Sequence, residues 1–484
     1  MYKKQDRDQL YLENFYMPFG GKLCSDNRWV KLTEIIPWDF IEDVYMENIC
    51  EYKGAGTISS RIAFGSLYIK ENENLVDRST VKYIAENPYM QYFLGLHEFQ
   101  EQPLFDPSLM VHFRKRFPAD KIEEINRLIV AAIKKDDSGD DDNSDNDNSP
   151  SNEEKPDKQP KNKGKLVLDA TCAPADIRYP SDLSLLNEAR ENTEEIIEEL
   201  WEHTKKQGHK TKYNRRKARS KYLKIAKQKK AKAKSIHKAI GEQLDYVTSN
   251  IETIGSLLLQ TVHLCKKGHD VLEEKRYTRI MTICELIRQQ KYMRENNTRS
   301  VENRIVSLRQ PHIRPIVRGK NGVKYEFGQK LAFSVVDGYT FIEKQSFDNF
   351  NEGISLIESV ERYKKTHGFY PEAVQADQIY RNRENLKYCK NHGIRLSGPR
   401  LGRPGKDAKT DRKTEYRDRC ERNIIEGRNG VAKRRFGLDL IMAYLPDTSM
   451  TEAAFAVLCM NAHLRLLWRL VFAWLWRKPV FRGC

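Results

Sequence analysis

Apolar residues recur at helical spacing along much of this chain. Residues 62–94 contain several such stretches, interrupted by Asn87-Pro88, which predicts short helices in the first part of the chain. Two later seams repeat a spacing of 3, 4, 3 and 4, and they consist of Leu186, Ala189, Thr193, Ile196 and Leu200, then Leu244, Val247, Ile251, Ile254 and Leu258. The seams predict helices packed as a long hairpin or small bundle.

Segments with strand character flank these seams. They are Lys165–Thr171, residues 324–327, residues 331–342 with a turn marked by glycine, Glu372–Asp377 and residues 393–397. Helical patterns follow at about 351–367, 383–391, 414–431 and 452–476. This alternation predicts a mixed α/β domain with helices on both faces of one sheet.

Composition divides the chain into four parts. Residues 136–150 are rich in Asp and Asn and contain no apolar residue, so they predict a disordered acidic linker rather than a calcium loop. We therefore expect a helical unit at 1–133, a linker at 134–164, a catalytic-type core at 165–445 and an apolar helix at 446–484. A long basic helical insertion occupies about 185–303 of the core.

The net charge of +16 over 484 residues indicates a polyanionic partner, and both nucleic acid and an anionic membrane surface fit it. The most apolar late stretch, 456–476, carries Asn461, His463, Arg465 and Arg469, which argues against a membrane span. The polar first 16 residues contain no signal peptide, so we expect a cytoplasmic protein. Nine cysteines without a CxxC pair indicate reduced thiols, and Cys265 with His269 is better explained as helix surface than as a metal pair.

Two basic segments are candidate DNA contacts. Residues 210–238 are dense in Lys and Arg with tyrosines interleaved, which favours contact with the DNA backbone over a merely solvated face. Residues 106–117 predict a capped basic helix that either lies on DNA or forms the charged face of an ordinary helical domain.

Asp169 and Asp377 each follow apolar residues of a predicted strand, and we expect both at the carboxyl edge of the sheet. Two close carboxylates repel each other unless a cation lies between them. Oxygen ligands suit Mg²⁺ or Mn²⁺, and two such ions about 3.5–4 Å apart can hold the attacking and leaving oxygens of a phosphoryl displacement.

A third carboxylate is expected from the late helix. Arg422, Glu426 and Lys433 are spaced by +4 and +7, which places them on one helical face, with Glu426 toward the metals and the two cations toward DNA phosphates. Glu421 lies off this face. Asp337 is a rival carboxylate, but its Asp-Gly context predicts a turn.

These motifs resemble those of the DDE transposases of bacterial insertion sequences with an InsH-like N-terminal domain. The resemblance rests on Leu168–Thr171, Gln375–Tyr380, Arg422–Leu438, Arg304–Leu308, Pro315–Gly319 and parts of residues 1–130, notably Phe64, Tyr92–Leu96 and Asp106–Arg114. It implies an RNase H-like core, two metal ions, and Asp169, Asp377 and Glu426 as catalytic, metal-binding residues. The predicted DNA contacts are Arg422, Lys433, Arg434, Arg114 and Arg318.

One departure from the family pattern concerns a tyrosine three positions before the Arg of the Glu helix. That position is Arg419 here, and the nearest tyrosine is Tyr416, so the role of that tyrosine cannot be carried over. The resemblance implies a nucleoid-associated enzyme that binds terminal inverted repeats, cuts DNA and transfers strands, as a dimer or higher oligomer on double-stranded DNA. The alternatives are an RNase H-like nuclease and an inactive DNA-binding repressor derived from a transposase.

Overall fold

The structure is a computed structural model that describes residues 12–17, 20–47, 49, 56–137, 161–203, 214–264, 272–317, 325–398 and 412–476. The predicted linker largely falls outside these residues, as do Arg318, Cys265 and His269. The described part divides into two compact units. The first comprises 1–174, 329–346 and 350–484, and the second comprises 175–328 and 347–349. No helix within the described ranges is long and apolar enough to cross a membrane.

The first unit begins with seven helices. They are α1 (Arg28–Thr33), α2 (Trp38–Glu47), α3 (Ser60–Asn72), α4 (Asp77–Glu86), α5 (Pro88–Phe93), α6 (Leu109–Arg116) and α7 (Ala119–Asp137). Local capping sets several boundaries, because Ser59 accepts a hydrogen bond from Ile62 N and Asn87 caps α5 with Pro88 at its first position. Phe64 and Phe93 are buried in the core of these helices.

The last helix, α15 (Pro446–Trp476), packs against α3, α6 and α7. Twelve consecutive residues, 451–462, are buried, so this part of the helix lies in the interior. Within it, Asn461 Nδ2 donates to Asn126 Oδ1 of α7, which satisfies a polar group in the core.

The sheet contains β1 (Lys165–Pro174), β3 (Tyr325–Val336), β4 (Tyr339–Ser346), β5 (Ala373–Gln375) and β6 (Arg395–Leu396). With β2 (Arg314–Val317) it has six strands in the order β2-β3-β1-β5-β6, and β4 also pairs with β3. β5 runs parallel to β1, β6 runs parallel to β5, and β4 runs antiparallel to β3. Asp337 and Gly338 form the turn between β3 and β4, both with positive φ (51° and 83°), so the predicted turn is confirmed.

Helices cover both faces of this sheet, as its alternating pattern predicted. Leu166 and Leu168 point to one face and pack with Val360 of α12 (Leu356–His367). Val167 points to the other face, where Ile425 of α14 (Arg412–Arg435) joins the same core. A further helix, α13 (Arg383–Asn391), connects β5 to β6 and has the predicted bounds.

The second unit is mainly helical. It contains α8 (Asp182–His203), α9 (Arg215–Ala226), α10 (Ala233–Leu264) and α11 (Glu274–Glu295). The first predicted seam is buried along its whole length on α8, and it faces α10. In this unit β2 (Arg314–Val317), a strand absent from the sequence prediction, pairs antiparallel with Tyr325–Gly328, the first residues of β3.

Two predictions about strands were wrong. Asp169 does not end its strand, because β1 continues to Pro174 and Cys172 and Ala173 are buried in it. The apolar content of those later residues, interrupted only by Asp169 and Thr171, extends the strand through the acidic position. The predicted strand at 324–327 and the first part of 331–342, before the turn, form one strand, because β3 runs without a break from Tyr325 to Val336.

Candidate active site

Asp169 and Asp377 lie at the same level of two neighbouring parallel strands. The pairing of β1 with β5 runs from Lys165 opposite Ala373 to Val167 opposite Gln375, an offset of 208 positions. The same offset separates Asp169 from Asp377, so the two aspartates lie opposite each other just beyond the last paired residues, Val167 and Gln375. Side chains alternate along a strand, so both aspartates share the face of Val167 and Gln375. The chain thus brings together two carboxylates that are far apart in sequence.

Helix α14 crosses this face of the sheet. Ile425 and Ala432 are buried beneath it. On the same side of the helix, Arg422 forms an ion pair with Asp377, and Asn429 Nδ2 lies 3.3 Å from Asp169 Oδ2. The spacing from Arg422 to Asn429 is seven residues, or two turns, which explains how one helix reaches both aspartates.

Two glutamates of α14 have different surroundings. Glu421 accepts hydrogen bonds from Lys165 Nζ at 2.7 and 2.8 Å, and Gln375 Nε2 also donates to it. These donors hold the pKa of Glu421 below its usual value. Glu426 is exposed, and its charge acts on Asp169. Glu421 is therefore bound to Lys165 at the start of β1, whereas the negative charge of Glu426 helps to raise the pKa of Asp169.

The pKa of Asp169 is raised above its usual value. Burial is the main cause, and the nearby negative charges of Glu352 and Glu426 act in the same direction. The backbone N–H of Ala170 and the guanidinium of Arg422 oppose the shift. A carboxyl group whose charged form is disfavoured in this way gains most from a cation placed beside it.

Glu352 is a fourth carboxylate that the sequence prediction missed. It lies in a short 3-10 helix, Glu352–Ser355, that precedes α12, and its Oε1 is 2.8 Å from Lys330 Nζ of β3. Nothing in its sequence context marks it, because only the fold brings residue 352 near residue 169. Asn429 was also missed, although its position three residues after Glu426 on the same helix could have indicated it.

The donor atoms of this site suit a hard divalent cation. Carboxylate oxygens surround it, and Asn429 Oδ1 is buried without a hydrogen-bond partner among the described residues. No group of three or more His, Cys, Asp or Glu side chains within the described part of the chain is close enough to hold a metal ion as the side chains stand. Instead, the guanidinium of Arg422 neutralises Asp377.

The predicted DNA contacts have different environments. Lys433 is partly buried, whereas Arg434 at the end of α14 is exposed. Arg114 is 5% exposed, and its two terminal nitrogens pair with Asp77 at 3.0 and 2.6 Å. Its side chain is thus an internal ion-pair partner, and its assignment as a DNA contact stays a prediction. Arg318 lies outside the described residues.

Two family models match the chain. A transposase DDE domain matches residues 374–463, which include Asp377 and Glu426. A second model, described as a transposase domain, matches residues 19–116 within the N-terminal helices. An uncharacterized protein, ORF8 in the nfe locus of Rhizobium meliloti, is 26% identical over 179 residues, which are 37% of this chain and 73% of that protein. No solved structure matches the chain.

The matches to transposase models at both ends of the chain confirm the resemblance predicted from the sequence motifs. The family of the DDE domain implies a nuclease or transposase activity, and DDE transposases generally depend on divalent metal ions and act on DNA. Residues 19–116 and 374–463 are therefore similar to domains of transposases, which is consistent with an insertion-sequence transposase.

Proposed function

We propose that this protein is a DNA transposase that binds the terminal inverted repeats of an insertion sequence, cuts DNA at the element end and joins the freed 3′-hydroxyl to a target strand. The observation that carries the proposal is the level placement of Asp169 and Asp377 beneath α14, in a chain that matches a transposase DDE domain. A site of this kind performs metal-assisted phosphoryl transfer, for which positioning and charge stabilisation are the main requirements.

The sheet order supports an RNase H-like core. The central strand β1 carries the first aspartate, an antiparallel pair lies on one side of it, and two parallel strands lie on the other. Helices cover both faces, and the helix that follows β6 carries the third acidic candidate. This arrangement is typical of the RNase H-like fold that the motif resemblance implied.

Asp169, Asp377 and Glu426 would hold the metal ions. Two Mg²⁺ or Mn²⁺ ions held by these residues would lower the pKa of the attacking water and stabilise the charge on the leaving oxygen. Asn429 positions Asp169 through its Nδ2 contact, and it presents a free carbonyl oxygen. Arg422 holds Asp377 in place through their ion pair. From this position its guanidinium also contacts a DNA phosphate.

DNA binding is assigned to surfaces beyond the carboxylates. The N-terminal helical domain, 1–133, positions the inverted repeat, and Lys433 and Arg434 at the end of α14 contact the backbone next to the cleavage site. Holding two element ends at once requires at least a dimer on DNA. Such a protein acts on the nucleoid.

A cleavage assay tests the proposal. The full chain is incubated with Mg²⁺ and a labelled duplex that carries the inverted repeat found beside its gene, together with a supercoiled target plasmid. We expect cleavage at the element end and covalent joining to the plasmid. Cleavage without joining would favour a nuclease, and binding without cleavage would favour a repressor, so either result would overturn the proposal.

A further inference from the structure

The helical second unit carries a positively charged surface. Between His203 and Gly241 the sequence contains 16 Lys or Arg residues and no Asp or Glu. The described part of this segment comprises α9, the connection that follows it and the start of α10. Like charges at this density repel one another, and a bound polyanion relieves that repulsion.

Helix α9 is docked on the bundle by one narrow face. Ala218 is 1% exposed, and its carbonyl accepts a hydrogen bond from Gln243 Nε2 of α10 at 2.9 Å. Two of its cations are also anchored, because Arg215 pairs with Glu194 of α8 at 3.2 Å and Lys221 pairs with Glu242 at 3.2 Å. These contacts fix the rotation of α9 about its axis.

The opposite face of α9 is basic and exposed. Arg216, Ser220, Lys224 and Lys227 follow one another at intervals of four, four and three residues, which forms a single stripe. The connection continues this stripe with the exposed residues Lys229, Lys230, Lys232 and Lys234. None of these cations forms an ion pair with another described residue. We call Arg216, Ser220, Lys224, Lys227, Lys229, Lys230, Lys232 and Lys234 the basic stripe.

A rigid support lies beneath the basic stripe. The seam of α8 contacts α10 through Leu186, Ala189, Leu244 and Val247, all of them buried. A buried polar pair also joins the two helices, since Asn250 Nδ2 donates to Thr193 Oγ1 at 2.9 Å. The stripe is therefore displayed on a packed helical bundle, which lowers the entropic cost of binding a regular polyanion.

We propose that the basic stripe is a second DNA-binding surface that holds duplex DNA by its phosphates, without reading the bases. It belongs to the second unit, whereas the catalytic carboxylates belong to the first. Lysines with few hydrogen-bonding neighbours suit phosphate contacts, which position DNA and carry no sequence information. The proposal rests on the proposed function only for the choice of DNA as the polyanion.

A membrane surface is the other anionic partner of similar charge. Helices that lie on membranes place Trp, Phe or Leu on the face that enters the lipid. Here the outward face consists of Arg, Lys and Ser, and the apolar residue Ala218 is turned toward the bundle. Duplex DNA, which needs only charge and shape, therefore fits the stripe better.

The test compares two variants of the full chain with equal charge changes. The first combines Arg216→Gln, Lys224→Gln, Lys227→Gln and Lys230→Gln. The control combines Lys163→Gln, Lys365→Gln, Lys387→Gln and Lys390→Gln, exposed lysines of the first unit outside its N-terminal helical domain. Each protein is titrated with a 30-base-pair duplex that lacks any inverted repeat, at several salt concentrations, and folding is checked by thermal melting.

We expect the stripe variant to lose about one unit of salt slope for each phosphate contact removed, and at least about tenfold in affinity at low salt. The control should keep the slope of the unaltered protein. Equal slopes for the two variants would overturn the proposal. The proposal would also be overturned if the stripe variant kept its binding to DNA and lost its binding to vesicles containing phosphatidylglycerol, measured in parallel. Since no cleavage is measured, failure of the proposed catalytic function would leave this comparison intact.

Discussion

Lys165 Nζ lies 2.7 Å from Glu421 Oε1, so an ion pair joins the first residue of β1 to the middle of α14. The pair is partly exposed, with 47% and 30% of the two side chains accessible. An ion pair of this exposure contributes at most about 1 kcal/mol to stability. Its role is local, because it helps orient α14 across the strands that carry the two aspartates.

The ion pair with Lys165 involves Glu421 and not Glu426, although both glutamates lie on α14. Glu426→Gln removes one negative charge with little change of shape, and we expect it to abolish Mg²⁺-dependent cleavage while binding to the inverted repeat persists. Glu421→Gln is the matched control and should stay active, with at most about 1 kcal/mol lost in stability. A gel assay of binding and cleavage on a labelled element end measures both. An active Glu426→Gln protein would mean that the third carboxylate has been placed wrongly.

The two aspartates should behave as one unit with Glu426. Asp169→Asn and Asp377→Asn are each expected to abolish cleavage and keep DNA binding, because in the proposed function all three residues hold the same metal ions. Combining Asp169→Asn with Asp377→Asn should add little to either single loss, since groups that act together are not additive. Single-turnover cleavage rates test this. Losses that multiply across the double variant would argue for independent roles.

Arg114 should matter for folding and not for DNA affinity. Its guanidinium is buried against Asp77, and removing one partner of a buried ion pair leaves the other uncompensated. Because 26% of the Asp77 side chain is exposed, we expect Arg114→Ala to cost about 3 kcal/mol, the low end for buried pairs. Lys115→Ala, at an exposed neighbouring position, is the control and should change stability little. Urea unfolding distinguishes the two, and a stable Arg114→Ala protein with weakened DNA binding would instead support the assignment of Arg114 as a DNA contact.

The case of Arg114 shows what sequence patterns could and could not supply. The buried seam of α8 and the bounds of α13 follow from spacing and capping, which are local properties. The partner of Arg114 is 37 residues away, so no local pattern marks the arginine as internal. The nearness of Glu352 to Asp169 likewise depends on strand order, which a single sequence does not reveal.

The acidic linker should be dispensable for catalysis. Residues 138–150 contain no apolar side chain, so their removal costs no buried apolar surface. We expect a protein that lacks residues 138–150 to be soluble and to cleave the element end at a rate close to that of the full chain. The measurement is the cleavage rate at saturating protein, alongside soluble yield. Loss of soluble expression on deletion would contradict the prediction.

Glu123 of α7 should make stability depend on pH. Burial raises its pKa to about 7, with the charge of Glu343 adding to the shift and Arg127 opposing it. Only 12% of the Glu123 side chain is exposed, and Arg127 is 3.4 Å from it. The folded protein therefore retains a proton on this carboxyl at pH values where the unfolded chain, with an ordinary pKa near 4.5, has lost it.

The sign follows from this difference in proton binding. A raised pKa in the folded state gives stability that is fully present below about pH 4.5 and is lost as the pH rises through about 7. The loss is on the order of 3 kcal/mol for a shift of this size. Glu123→Gln resembles the protonated form, so its urea midpoint should fall less between pH 5 and pH 8 than that of the unaltered protein, which should unfold earlier at pH 8. The exposed neighbour in Glu124→Gln supplies the control, and it should keep the pH dependence of the unaltered protein. If Glu123→Gln and Glu124→Gln show the same change between the two pH values, Glu123 is not the group that titrates.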